Sequence, residues 1–195
     1  MNTVITETYT APEWNTNEIL RYAQCKDASV PELLEDCISE AENVLSYKIC
    51  HVETDITVCG NSIDCNCFKF CSSDLAKNLK DCEKVIVFAA TVGIGIDRLI
   101  SKYSRLSPAK ALIFQAIGAE RIESLCDVFC SDLKKKGYLT VPRFSPGYGD
   151  LPLDIQKNIF AVLDCPRKIG LTLNSSLLMS PSKSVTAFIG VKKCK

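Results

Sequence analysis

The sequence predicts an α+β fold in which several helices pack a mixed or antiparallel central sheet. Three observations carry that prediction. Residues 48–58 are dense in β-formers and are followed by a Gly60-Asn61 turn and a second β-rich run, Ile63 to Phe70, which together read as a hairpin. Val85-Ile86-Val87-Phe88-Ala89-Ala90-Thr91-Val92 is an unbroken apolar run of strand length, suited to burial on both faces. Residues 108–136 hold the longest helical pattern. Strands and helices do not alternate regularly, as a doubly wound parallel sheet requires.

Composition narrows the function. A chain of 195 residues supports one domain with a real core, read here as an N-terminal arm over 1–15 and a single domain over 16–195. Lys+Arg and Asp+Glu are both 23, so the formal charge is zero, which argues against a nucleic-acid or polybasic membrane binder. The first 30 residues hold no apolar core of signal-peptide type, and the longest near-apolar run, Val85 to Ile96, is too short to span a bilayer. A cytoplasmic protein is expected. Twelve cysteines are many for such a chain. Several, such as Cys126 and Cys130, sit inside apolar segments and are expected to be reduced core residues.

In chain order, Asn15 caps a short helix over Thr16 to Tyr22. Pro31 and Glu32 start a helix expected to run to about Tyr47, with Leu33, Leu34, Cys37, Ile38 and Val44 at helical spacing. Ser72 caps a short helix ending near Leu79. Gly93-Ile94-Gly95 follows the buried strand and leads into a helix to about Tyr103. A dinucleotide fingerprint would need a third glycine at Arg98, so the two glycines are assigned to a tight strand-to-helix turn.

Ser107-Pro108 caps the helix over 108–136, and Lys134-Lys135-Lys136-Gly137 closes it. Leu112, Ala116, Ala119, Glu123, Cys126, Cys130 and Leu133 form one stripe, in which Glu123 is the only charge. A carboxylate there needs a cationic or donor partner, unless it lies at the stripe's edge and extends to water. A further helix spans Leu153 to Leu163, ended by Pro166, and the tail from Leu171 reads as a hairpin that returns over Ser184 to Val191.

Between these helices lies Val141-Pro142-Arg143-Phe144-Ser145-Pro146-Gly147-Tyr148-Gly149-Asp150-Leu151-Pro152. Its prolines stiffen it, and Pro146-Gly147 is the centre of a type II turn. Such a loop can gather backbone amides, the planar donor fork of Arg143 and the ring of Tyr148.

The run from Arg143 to Tyr148 resembles the Arg-x-x-Pro-Gly-Tyr signature of the activation (S-adenosylmethionine-binding) domain of vitamin B12-dependent methionine synthase. Ile169-Gly170-Leu171-Thr172 and Met179-Ser180-Pro181-Ser182-Lys183-Ser184-Val185 are similar to downstream stretches of that domain. Gln115-Ala116-Ile117 followed by Glu123 resembles the helix that supplies its acidic ligand residue. Order and approximate spacing agree from Ala109 to Val191, and over most of its length the chain resembles the shorter, stand-alone forms of the domain.

The resemblance implies the fold of that domain and a binding site for S-adenosylmethionine made by Glu123, Arg143, Ser145 (through its backbone), Gly147 and Tyr148. Arg143 would grip the ligand carboxylate, with Glu123 and Arg143 satisfying one another or sharing the ligand. It further implies a partner, cobalamin-dependent methionine synthase or another corrinoid protein, whose oxidised cobalamin is restored by reductive methylation. An electron donor such as flavodoxin or ferredoxin would take part. The family's long form carries further ligand residues near its N-terminus and in a C-terminal segment that find no match here. The pocket is therefore expected to be incomplete, weaker or completed by a partner.

A second function class is a metal-binding or redox module. Cys59, Cys65, Cys67 and Cys71 fall within thirteen residues, with Cys65 and Cys67 on one face of a strand, but gaps of five, one and three residues match no zinc or iron–sulfur spacing. The single histidine, His51, lies in a β-rich stretch away from the loop and is read as structural.

Overall fold

The computed structural model describes residues 3–24 and 30–192. In chain order the elements are β1 (Ile5–Tyr9), α1 (Thr16–Ala23), α2 (Val30–Glu42), β2 (Tyr47–Asp55), β3 (Thr57–Cys59), β4 (Ser62–Asp64), β5 (Lys69–Cys71) and α3 (Ser73–Asn78). They continue with β6 (Cys82–Thr91), α4 (Gly95–Leu106), α5 (Pro108–Lys135), α6 (Ile155–Leu163), α7 (Cys165–Ile169), β7 (Thr172–Leu173), β8 (Met179–Ser180) and β9 (Ser184–Lys192).

The main sheet has the order β1-β2-β6-β9, and every neighbouring pair is antiparallel. The apolar run at 85–92 supplies β6, covered on both sides. Ile86, Phe88 and Ala90 pack toward α1, α2, α4 and α5, while Val85, Val87 and Ala89 pack toward α3, α6, α7 and the small β3-β4-β5 sheet. Each such buried Val, Ile or Phe contributes about 1.5–3 kcal/mol, so a strand apolar on both faces seats itself between two layers. The fold is α+β with an antiparallel central sheet.

Local signals fix the helix starts. Asn15, Ser72 and Ser107 each accept a hydrogen bond from the amide three residues on, Glu18, Leu75 and Lys110. α5 starts at Pro108 and ends in Lys134 and Lys135. Its buried surface is wider than one stripe. It faces the sheet and also flanks α1 and α4, so Ile113, Phe114, Ile117, Leu125 and Phe129 are buried while Leu112 is exposed. Gly95 is demanded by close approach: a Cβ there would lie 2.2 Å from the Val44 carbonyl oxygen.

Several expectations are corrected. Within the stretch read as a polar arm, Ile5–Tyr9 forms an edge strand on β2, its short alternating pattern supported by pairing rather than by its own hydrophobicity. The helix expected to reach Tyr47 stops at Glu42, because the amides of Val44 and Leu45 turn back to the Ala41 carbonyl and Tyr47 pairs with Tyr9. The hairpin expected over 48–70 divides. β2 pairs with β1 and β6, and the Gly60-Asn61 turn joins β3 to β4 in a separate sheet. The run from Ile63 to Phe70 is broken at Asn66, which takes a φ of +59°. Pro166 does not end α6. Asp164, at φ +52°, separates the helices, and Pro166 sits in the first turn of α7, where its missing N–H costs nothing. The C-terminal hairpin divides likewise, with β9 joining β6 while β7 and β8 make a two-stranded ribbon.

The N-terminal segment is pinned by a buried charge cluster that periodicity did not reveal. Arg121 is fully buried. It donates to the carbonyls of Pro12 and Glu13, each at 2.7 Å, and to Glu120 through Nε at 2.5 Å and Nη2 at 2.6 Å. Its guanidinium stacks 3.9 Å from the Trp14 ring centroid. His51 is buried against Phe129, with Nε2 3.3 Å from Glu7. Burial lowers its pKa, opposed by Glu7. No described helix is long and apolar enough to cross a membrane.

Candidate functional site

The 141–152 loop begins as an added strand. Lys192 donates to Leu139 at 2.8 Å and Val141 to Gly190 at 2.9 Å, and Phe144 and Phe188 exchange both backbone bonds at 2.9 Å. The outer edge of β9 is therefore covered as far as Phe188. Beyond Phe144 the chain turns away, with Tyr148 donating to the Ser145 carbonyl at 3.2 Å and Gly147 at φ +91°, as a type II turn requires. Asp150 then ties the loop to α3, accepting from Ser72 Oγ at 2.5 Å and from the amides of Ser73 at 2.7 Å and Asp74 at 3.1 Å. The Ser72 hydroxyl, then the Asp74 and Ser73 amides, hold its carboxyl down at about 2. The loop is fixed at both ends.

Where it parts from β9 a cavity of about 440 Å³ opens, of small-ligand size. Its walls are Glu123 of α5, Arg143 to Pro146 and Tyr148 of the loop, Gln156 of α6, Met179 of β8 and Ser184 to Thr186 of β9. Of the residues expected from the sequence, Glu123, Arg143, Ser145 and Tyr148 thus stand together. Gly147 does not line the cavity; it makes the turn that carries Tyr148, and a side chain there would meet both the positive φ and Leu153.

Arg143 Nη2 donates to Glu123 Oε2 and Nη1 to Asp127 Oδ1, each at 2.5 Å. The stripe's lone charge therefore finds its cation. Burial works against the charge of Arg143, but the hydrogen bond to Asp127 and the neighbouring acidic groups outweigh it and its pKa is raised. The Arg143 side chain is 25 % exposed and that of Asp127 71 %. With five N–H donors, the guanidinium keeps capacity for a further acceptor. Tyr148, 68 % exposed, presents its ring at the mouth.

Sequence reasoning missed Asp127, Gln156 and Thr186. Asp127 was detectable, since it lies one turn beyond Glu123 on the same helix face. Gln156 and Thr186 carried no signal, Gln156 being one of several polar residues in the run Asp154 to Asn158 and Thr186 a β-former within a strand pattern. The four clustered cysteines do not converge. Cys65 is buried in a turn, its thiol on the Phe68 carbonyl, while Cys59, Cys67 and Cys71 are exposed, so Cys65 and Cys67 do not share a face. Among the described residues, no group of three or more His, Cys, Asp or Glu could hold a metal ion.

No family model matches the sequence, and no curated protein matches it. Among solved structures, the chain is similar to the MetH reactivation domain bound to AdoHcy, with a TM-score of 0.69 at 14 % identity, over 97 % of this chain and 78 % of that one. The two share a fold.

Proposed function

We propose that this chain, with the fold of the MetH reactivation domain, binds S-adenosylmethionine in the cavity and serves the reactivation of cobalamin-dependent methionine synthase or another corrinoid protein. The observation that carries the proposal is the Glu123–Arg143 pair on the wall of a ligand-sized cavity, in a fold whose solved representative holds AdoHcy. The donor set suits the ligand. Arg143 has capacity for its carboxylate, Glu123 offers an anion to its ammonium and sulfonium, and the Tyr148 ring offers a flat face to adenine.

Bound there, S-adenosylmethionine would supply an electrophilic methyl group. The chain's own residues hold and orient it, and placement alone can contribute several kcal/mol to such a transfer. Arg143 already faces two carboxylates, so an incoming one shares the guanidinium or displaces Asp127, the more exposed partner. Cobalamin would arrive on the partner protein. One electron, from a donor such as flavodoxin or ferredoxin, and one methyl group would restore it, leaving S-adenosylhomocysteine. Tyr148, Gly149 and Asp150 form an exposed edge beside the cavity against which the corrinoid protein would dock. Zero net charge favours docking by shape and local patches over long-range steering.

Calorimetry with S-adenosylmethionine tests the site. Arg143→Ala is expected to cost roughly 1.5–3 kcal/mol of binding, the range for a hydrogen bond to a charged group. Unchanged affinity would remove the assignment. The role itself is tested by incubating oxidised, inactive methionine synthase with S-adenosylmethionine and a reductant, with and without this protein. Recovery no greater than the control, despite binding, would leave a ligand-binding module that is not a reactivator.

A further inference from the structure

The cavity has two chemically different ends. On the α5 side stand the charges of Glu123 and Arg143. On the other side, α6 supplies Gln156 and β9 supplies Thr186, whose register partner Ala89 faces the α6 layer. Gln156 is 5 % exposed and Thr186 2 %. Gln156 Oε1 and Thr186 Oγ1 are nonetheless without a hydrogen-bond partner, two of the few such buried side-chain atoms among the described residues. Burying one unmatched polar atom is costly, and two on the wall of one cavity mark a place where a ligand's polar groups belong.

The main chain adds to this end. Phe188 turns both its N–H and its C=O to the outer edge of β9, where Phe144 takes them. The two-residue alternation of a strand turns the N–H and C=O of Thr186 to the same edge, at a point the loop has already left. A donor and an acceptor thus sit side by side, next to a neutral amide and a hydroxyl.

We propose that Gln156 and Thr186 form the subsite that reads the amino edge of the ligand's heterocycle and selects adenine over its oxo counterpart. The inference rests on the S-adenosylmethionine assignment above. A charged amino-acid moiety belongs at the charged end, which leaves the neutral heterocycle for the neutral polar end. Adenine presents an amino donor beside a ring-nitrogen acceptor, matching a C=O beside an N–H. Hypoxanthine presents an oxo acceptor beside an N–H donor, the reverse pattern, and would leave like groups facing one another.

The experiment is calorimetric titration of the full chain with S-adenosylhomocysteine and with S-inosylhomocysteine. The natural protein is expected to prefer the adenosyl ligand by about tenfold to a hundredfold, the size of one or two lost hydrogen bonds. Gln156→Leu and Thr186→Val should each reduce that preference several-fold. The melting temperature of Gln156→Leu should be no lower than that of the natural protein, because the change deletes an unmatched buried acceptor. Thr186→Val, nearly isosteric, gives the same test if Gln156→Leu does not fold. Binding with an undiminished adenosyl preference in both variants overturns this inference alone, and so does equal affinity for the two ligands in the natural protein. Absence of binding by either ligand overturns the S-adenosylmethionine assignment, and this inference with it.

Discussion

Two arginine–carboxylate clusters border the same helix. At the first, Arg121 is sealed from water, with its donors taken up by Glu120 and by the carbonyls of Pro12 and Glu13 and its face against Trp14. At the second, Arg143 meets Glu123 and Asp127 at the edge of a cavity and keeps part of its surface open. Each holds an arginine paired with a glutamate. What separates a structural clamp from a candidate binding group is how completely the guanidinium is enclosed and satisfied. A closed cluster orders the chain and has no capacity left for a ligand, whereas an open one contributes little to stability and can exchange partners.

The largest effect should therefore come from Arg121. Arg121→Ala leaves Glu120 buried without its cation and frees the segment before α1, and a loss of about 3–5 kcal/mol is expected in chemical denaturation. Arg143→Ala should cost less than about 1 kcal/mol of stability while weakening the ligand as stated above. If the two substitutions destabilised the fold equally, the contrast would collapse.

A finer probe is Asp127→Asn, which keeps size while removing the more exposed competitor for Arg143. Affinity for S-adenosylmethionine should rise by a few-fold at most, because exposed ion pairs are worth about 0.2–1 kcal/mol. A large loss would instead make Asp127 part of the binding set.

The smallest effect concerns the enclosed side of the molecule and its dependence on pH. His51 has a pKa lowered by burial, opposed by Glu7 and disfavoured further by Lys136. The unfolded chain then binds a proton before the folded one does, so stability is full above the unfolded value near 6.5 and declines as pH falls below it. Thermal melting across that range should show the decline, and His51→Gln should flatten it.

The local features were legible. Caps at Asn15, Ser72 and Ser107, the extent of α5, the two-faced burial of β6 and the Pro146-Gly147 turn are written within a few residues of where they act. That Arg143, Ser145 and Tyr148 share one loop was legible for the same reason. Much else was not. Ile5–Tyr9 carries β-forming residues but too few apolar ones to stand as a strand alone, because an edge strand takes its stability from the neighbour it pairs with. Ile63–Phe70 and the tail look like hairpin halves, but strand partners are chosen by which faces need covering across the sheet.

The sequence by itself thus determined where α1, α3 and α5 begin, which strand lies at the centre, and that Arg143, Ser145 and Tyr148 would be held on a stiff loop. Those properties depend on backbone preference and on the period of apolar residues, both short-range. Only the tertiary structure decided that β9 lies beside β6 and that its edge is bare at Thr186. It alone brought Glu123 and Gln156 to one cavity, set Asp127 against Arg143, closed Arg121 and left Arg143 open. Those outcomes depend on which distant surfaces exclude water from which charges, and no local pattern carries that information.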